Sequence, residues 1–153
     1  MSDQTACHKT YTYKLIPTPA QERELERVVW CCRTLYNVAV EQRSTAWQRC
    51  HVSLTRYQQE AELKDIRAAF PEYAAVHRHV RQDVLARLER TYQAFFRRVQ
   101  RGEKAGFPRF KGHDRFHSCT DKECGNGARL DNGVLVLATI GRIAVRWSRL
   151  LAG

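Results

Sequence analysis

Apolar positions along this 153-residue chain recur with two different periods, and the change between them falls at Gly102. Ahead of it, Thr10 to Ile16 alternates, with Tyr11, Tyr13 and Leu15 on one face, as a half-buried strand does. Pro17-Thr18-Pro19 ends that segment and opens a helix. Thr18 is placed as N-cap, Pro19 as first helical residue, and Gln21 three positions on completes a capping box. Leu25, Val28, Val29, Cys32, Tyr36, Ala39 and Val40 then recur at steps of three and four, which predicts a helix over about 19–49. Thr55 with Gln58 repeats the capping pattern before Ala61, Leu63, Ile66 and Phe70, predicting a second helix over 56–69, stopped by Pro71. A third stripe, Val80, Val84, Leu88, Tyr92, Phe95 and Val99, with Leu85 and Phe96 beside it, predicts a helix over about 75–101. Tyr92, Phe95 and Phe96 lie on that stripe and are read as core.

After Gly102 the period shortens to two. Residues 103–111 form a basic segment punctuated by Gly106 and Pro108 and read as a linker. Arg115 to Thr120 is expected as a short strand. Asn132-Gly133 is a hairpin turn, because both residues tolerate the positive φ that a tight turn demands; Arg129-Leu130 and Val134 to Leu137 flank it. Arg142 to Trp147 alternates, with Ile143, Val145 and Trp147 expected inward. One early strand, three helices and several late strands make an α+β fold: an antiparallel sheet with a helical unit inserted into it.

Charge adds a direction to this picture. The 26 Lys and Arg against 16 Asp and Glu leave a net charge of +10. Residues 1–77 are balanced, with 10 basic and 9 acidic side chains, whereas residues 78–153 carry 16 and 7. Twenty of the basic residues are Arg, whose planar fork suits phosphate oxygens. Arg78, Arg81, Arg87, Arg90, Arg97, Arg98 and Arg101 share the third helix and read as a phosphate-facing ridge. A one-sided arginine surplus points to nucleic acid. A composition with 43% hydrophobic and 27% charged residues excludes a collagen-like or disordered chain, and the apolar run Val134 to Ile140 is too short to span a bilayer. The N-terminus lacks the basic and apolar regions of a signal peptide, so a cytoplasmic location with reduced thiols is expected. Cys31 and Cys32, adjacent in a helical pattern, read as small core fillers.

Four blocks resemble one family. Tyr13-Lys14-Leu15-Ile16-Pro17-Thr18, Arg33-Thr34-Leu35-Tyr36-Asn37, Phe95-Phe96-Arg97-Arg98 and Gly106-Phe107-Pro108-Arg109-Phe110-Lys111 resemble, in that order, the N-terminal half of TnpB proteins, the OrfB-type transposases of insertion sequences. Gly125 to Leu130 and Ile140 to Ile143 are similar too, so the resemblance covers about residues 10–150. It implies a wedge-type partial β-barrel (10–16 and 112–148) interrupted by a three-helix, helix-turn-helix-like recognition lobe (18–102), joined by the linker 103–111. It further implies binding of structured guide-type RNA and duplex DNA, with no enzyme activity in this chain. Cleavage in that family belongs to a later RuvC-like domain, which a chain ending at Gly153 is expected to lack. The departures at Cys119, Cys124, Ala138-Thr139 and Leu150-Leu151 keep the alternative of a degenerate, non-functional fragment open.

Candidate contacts follow. Lys104, Arg109 and Lys111 are the expected phosphate contacts of the linker, with Arg97 and Arg98 beside them. Phe107 and Phe110 stand between two readings, a nucleotide-stacking pair and plain linker residues. Tyr57, Arg78 and Gln82 correspond, by the resemblance, to lobe residues facing duplex DNA; solvated helix residues are the plain alternative. His113, His117, Cys119 and Cys124 have a cramped H-x3-H-x-C-x4-C spacing, and no metal site is expected from it. His77 and His79 read as helix-surface residues. Glu22, Glu24 and Glu26 complement the dipole at a helix N-terminus. No cofactor and no catalytic residue is expected. A sheet left unfinished would carry an unpaired edge beside Val134 to Leu137, a route to self-association.

Overall fold

A computed structural model describes residues 9–122 and 125–149. Strand β1 (Lys14–Ile16) leads into α1 (Pro19–Cys50), α2 (Arg56–Ala69), the single turn α3 (Pro71–Ala74) and α4 (Arg78–Gln100). A 3₁₀ turn at His113–Arg115 follows, then β2 (Ala128–Asp131), β3 (Val134–Leu137) and β4 (Gly141–Arg146). Both predicted capping boxes are present. Thr18 accepts from the Gln21 amide and Gln58 answers Thr55 in the same reciprocal way, which fixes where α1 and α2 begin.

Helices α1 and α4 run in the same direction, with α2 antiparallel beside them. Cys32 lies by Asp83 and Arg87, while eleven residues on Arg43 reaches Glu89 and Tyr92. In α2, Gln59 meets Arg43 and Arg67 lies near Arg81, so its chain direction is reversed. Between the helices sits the core: Cys31, Cys32, Leu35, Tyr36, Val76, Val84, Leu85 and Leu88, each at most 3% exposed. Cys31 and Cys32 are buried fillers, as their place in the stripe implied. Burial holds the Cys31 thiol up and pushes that of Cys32 up to about 12.

The sheet is antiparallel and open, in the order β1-β4-β3-β2. Chain order and sheet order together put the helices in the connection between β1 and the late strands, the insertion expected from the sequence. At the β2–β3 turn Asn132 and Gly133 have φ of 50° and 77°, two consecutive left-handed residues as a type I′ hairpin needs. Gln21 ties the helical unit to the sheet, donating to the Arg142 carbonyl.

Five expectations change. The first strand is Lys14–Ile16, shorter than 10–16, because only those residues face β4, although Tyr11, Tyr13 and Leu15 do share the less exposed face. The helix expected at 75–101 begins at Arg78; Pro71 starts a separate turn, α3, with Tyr73 and Val76 buried behind it. No strand forms at 115–120. Arg33 takes the Phe116 carbonyl (3.1 Å) and Arg87 takes that of Ser118 (3.0 Å), so side chains rather than a ladder satisfy this backbone. Phe96 and Val99 are about half exposed, since α4 runs on past the elements that cover its first half. Trp147 lies at the sheet margin, 37% exposed, its ring on Tyr13 (4.7 Å) and its Nε1 donating to the Gly133 carbonyl.

Candidate nucleic-acid interface

Segment 103–111 has no regular structure, yet it is pinned to the helices along its length. At its start the Glu103 amide donates to the Arg98 carbonyl and the Glu103 carboxylate pairs with Arg98 at 2.9 Å. Midway, the Phe107 ring lies against Phe95, centroids 4.9 Å apart. At its end Asn37 holds Lys111 by both backbone groups, and the Lys111 ammonium sits 4.9 Å over the Tyr36 ring. Tyr36 also packs on Phe116 at 5.5 Å, and Arg33 holds the Phe116 carbonyl. Thus one stretch of α1, Arg33 to Asn37, forms the seat on which the returning chain rests.

This seating opens a basic cleft of about 560 Å³ between α4 and the returning segment. Arg90, Arg98 and Lys111 line it, with Phe95, Phe107 and Pro108 as its apolar wall. Arg90, Arg97, Arg101, Lys104 and Arg109 are exposed and make no ion pair among the described residues. Of these, Arg90 lines the cleft, where an unpaired guanidinium favours phosphate oxygens, and each phosphate bound releases counterions.

Not every arginine of α4 contributes. Arg81 is buried, 6% exposed, and burial beside Arg67 and Arg78 lowers its pKa. Arg87 is spent on structure, bonding Asp83, Ser118 and Thr120 and lying 5.4 Å over the Phe116 ring. The expected ridge therefore reduces to Arg78 at one end and Arg90, Arg97, Arg98 and Arg101 at the other. Helical spacing alone did not reveal this, because Arg81 is covered by neighbouring elements and Arg87 takes further partners from residues 118–120.

The other expected site residues divide. Phe107 and Phe110 make no ring contact with each other; Phe107 pairs with Phe95, and Phe110 is 57% exposed. Arg78 and Gln82 lie one turn apart at the start of α4. Tyr57, 76% exposed, is at the start of α2, level with the middle of α4 and so about 20 Å from Arg78 along the helix axis. These three do not form one cluster. His77 and His79 stack at 5.4 Å, and His77 pairs with Asp121 at 3.0 Å, so both are tied to their surroundings rather than free on a helix surface. His113, His117 and Cys119 are all exposed, Cys119 near Arg87; Cys124 falls outside the described residues.

A buried polar knot escaped the sequence altogether. Arg43 donates to Gln59 (2.8 Å) and pairs with Glu89 (2.5 Å) while lying over Tyr92 at 4.6 Å. Gln59 in turn donates to the Ala39 carbonyl. The knot joins α1, α2 and α4. The only signal was an arginine placed one turn after Val40 on the apolar stripe.

Residues 2–51 match the helix-turn-helix domain of OrfB/IS605 type. In the structure that stretch holds β1 and the whole of α1, one uninterrupted helix. The chain is also similar to a Streptomyces pristinaespiralis protein named "Putative RNA-guided DNA endonuclease", with 28% identity over 151 residues, covering 92% of this chain and 34% of that protein. The chain thus spans about a third of the length of the curated relative it matches. At its start the chain resembles a helix-turn-helix domain of OrfB/IS605 type, and along nearly all its length it resembles a protein named as an RNA-guided DNA endonuclease.

Proposed function

We propose that this chain is the nucleic-acid-holding part of a TnpB-type protein, binding structured, guide-type RNA in the cleft between α4 and segment 103–111. One observation carries the reading: unpaired Arg90, together with Arg98 and Lys111, faces a groove walled by Phe107, in the half of the sequence that holds nearly all the net charge. The four-stranded sheet serves as the incomplete wedge-type barrel and the helices as the recognition lobe. Arg78, exposed, and Gln82, half-buried, near the start of α4 are assigned to duplex DNA, away from the RNA cleft. The chain supplies binding, and cleavage is assigned to the part of such proteins that it does not span. Its outer strand β2, with one edge unpaired in the described sheet, offers a route to self-association when RNA is absent.

The test compares two double variants in binding a fluorescein-labelled RNA hairpin. Arg90→Ala with Arg109→Ala should weaken binding by tenfold or more. Arg23→Ala with Lys64→Ala removes the same charge from the balanced half and should change it less than threefold. Equal losses would show that net charge, and not the cleft, governs binding.

A further inference from the structure

Across the Phe95–Phe107 contact from the basic cleft lies a second cavity, of about 530 Å³, with a different lining. Helix α4 supplies Tyr92, Phe95, Phe96 and Val99 at steps of three and four; α1 and the loop after it supply Trp47 and Val52. Four of these are about half exposed: Trp47 51%, Val52 45%, Phe96 47% and Val99 50%. The groove exists because α1 and α4 run in the same direction, so their C-terminal halves project together past α2. His51, in the left-handed region at φ 53°, ends α1 and turns the chain into Val52 to Thr55, which line the groove together with Phe107 and Pro108. So much exposed aromatic surface is costly in water unless something covers it.

The neighbouring charge identifies the occupant. The two cavities share Phe95, Phe107 and Pro108 as a common wall, one side cationic and the other aromatic. We infer that the aromatic groove receives an unpaired nucleobase of the RNA strand whose phosphates lie in the basic cleft. A base turned out of a strand stacks on aromatic faces while its phosphate stays with the arginines, the arrangement used by single-strand binders. The groove also provides polar groups for a base edge. Ser44 and Gln48 line it, and neither side chain makes a hydrogen bond among the described residues. Arg43 and Glu89, bound to each other, floor it and are not available. This site rests on the proposed RNA binding, since it needs the phosphates to be held next door.

The test uses the full chain and two ten-residue probes of equal charge: oligouridylate and an abasic ribose-phosphate decamer. Trp47→Ala and Phe96→Ala, both at exposed positions, should each weaken oligouridylate binding about tenfold and leave the abasic probe unchanged. Arg90→Ala should weaken both probes alike. Irradiation of a 4-thiouridine-containing decamer should cross-link Trp47 or Phe107, a readout independent of variant folding. Aromatic variants that leave oligouridylate binding intact, or cross-links confined to β2–β4, would overturn the base site while the RNA reading stands. Binding of neither probe would overturn both. Loss of a concentration-dependent dimer in Trp47→Ala, with RNA binding unaltered, would overturn the base site in favour of a contact between two copies.

Discussion

Asn37 grips the backbone of Lys111 from both sides: its amide nitrogen donates to the Lys111 carbonyl at 2.9 Å and its oxygen accepts from the Lys111 N–H at 2.8 Å. Seventy-four residues separate the two, so a single side chain on α1 fixes where the basic segment rejoins the helices. The grip also explains the neighbouring residues, because Tyr36 faces the Lys111 ammonium and Arg33 holds Phe116.

Replacing Asn37 by Ala removes two partly buried hydrogen bonds and should destabilise the chain by about 1–3 kcal/mol. Urea unfolding measures the loss. Limited proteolysis should then cut within 103–111 faster than in the parent chain. Unchanged cutting would mean that the Phe95–Phe107 contact alone holds the segment.

Arg43→Ala should cost about 3–5 kcal/mol, because it strands Glu89 and Gln59 in a partly buried setting. Arg43→Ala combined with Glu89→Gln should recover part of that loss, since no uncompensated carboxylate remains. A double variant as unstable as the single one would assign the cost to lost packing on Tyr92 instead.

Stability should fall as pH rises above about 9. Cys32 is protonated in the folded chain up to about 12, whereas in the unfolded chain it ionises near 9. The unfolded state therefore sheds its proton first and gains relative to the folded state across that window. Cys32→Ala should flatten the decline in thermal midpoint between pH 9 and 11, with Cys31, Cys119, Tyr73 and Tyr92, also raised by desolvation, supplying the remainder. Identical pH profiles for parent and variant would contradict a buried thiol.

Gly133→Ala should lower stability by about 1–2 kcal/mol, because φ of 77° places a Cβ in the strained left-handed region. The new methyl would also stand 3.2 Å from Trp147 Nε1, against the bond that ties this turn to the end of β4. Thermal unfolding followed by Trp fluorescence checks it.

Local chemistry was legible in the sequence and distant partners were not. Thr18 with Gln21 and Thr55 with Gln58 act across three residues, so the starts of α1 and α2 could be read directly. The same holds for Asn132-Gly133, whose turn geometry is intrinsic. Arg33, Arg81 and Arg87 look like surface charges in a linear sequence, yet two hold backbone carbonyls and the third is buried. The carbonyls that Arg33 and Arg87 hold, on Phe116 and Ser118, lie 83 and 31 residues away, which no periodicity encodes. The stretch 115–120 failed as a strand for the same reason: its carbonyls were claimed by helix side chains. Of the linker residues read as phosphate contacts, Lys104 and Arg109 keep free side chains, while Lys111 is partly committed to Tyr36. For that reason Arg109, and not Lys111, is the informative substitution.

The account rests most heavily on the cleft binding RNA through phosphates, and a salt series measures this directly. For the parent chain with an RNA hairpin, log affinity should fall linearly with log salt, at a slope of roughly −0.7 to −0.9 per phosphate contacted. With Arg90→Ala and Arg109→Ala together the slope should become shallower by roughly 1.4 to 1.8, the equivalent of two lost contacts. A parent slope near zero, or a double variant with the parent's slope, would contradict it.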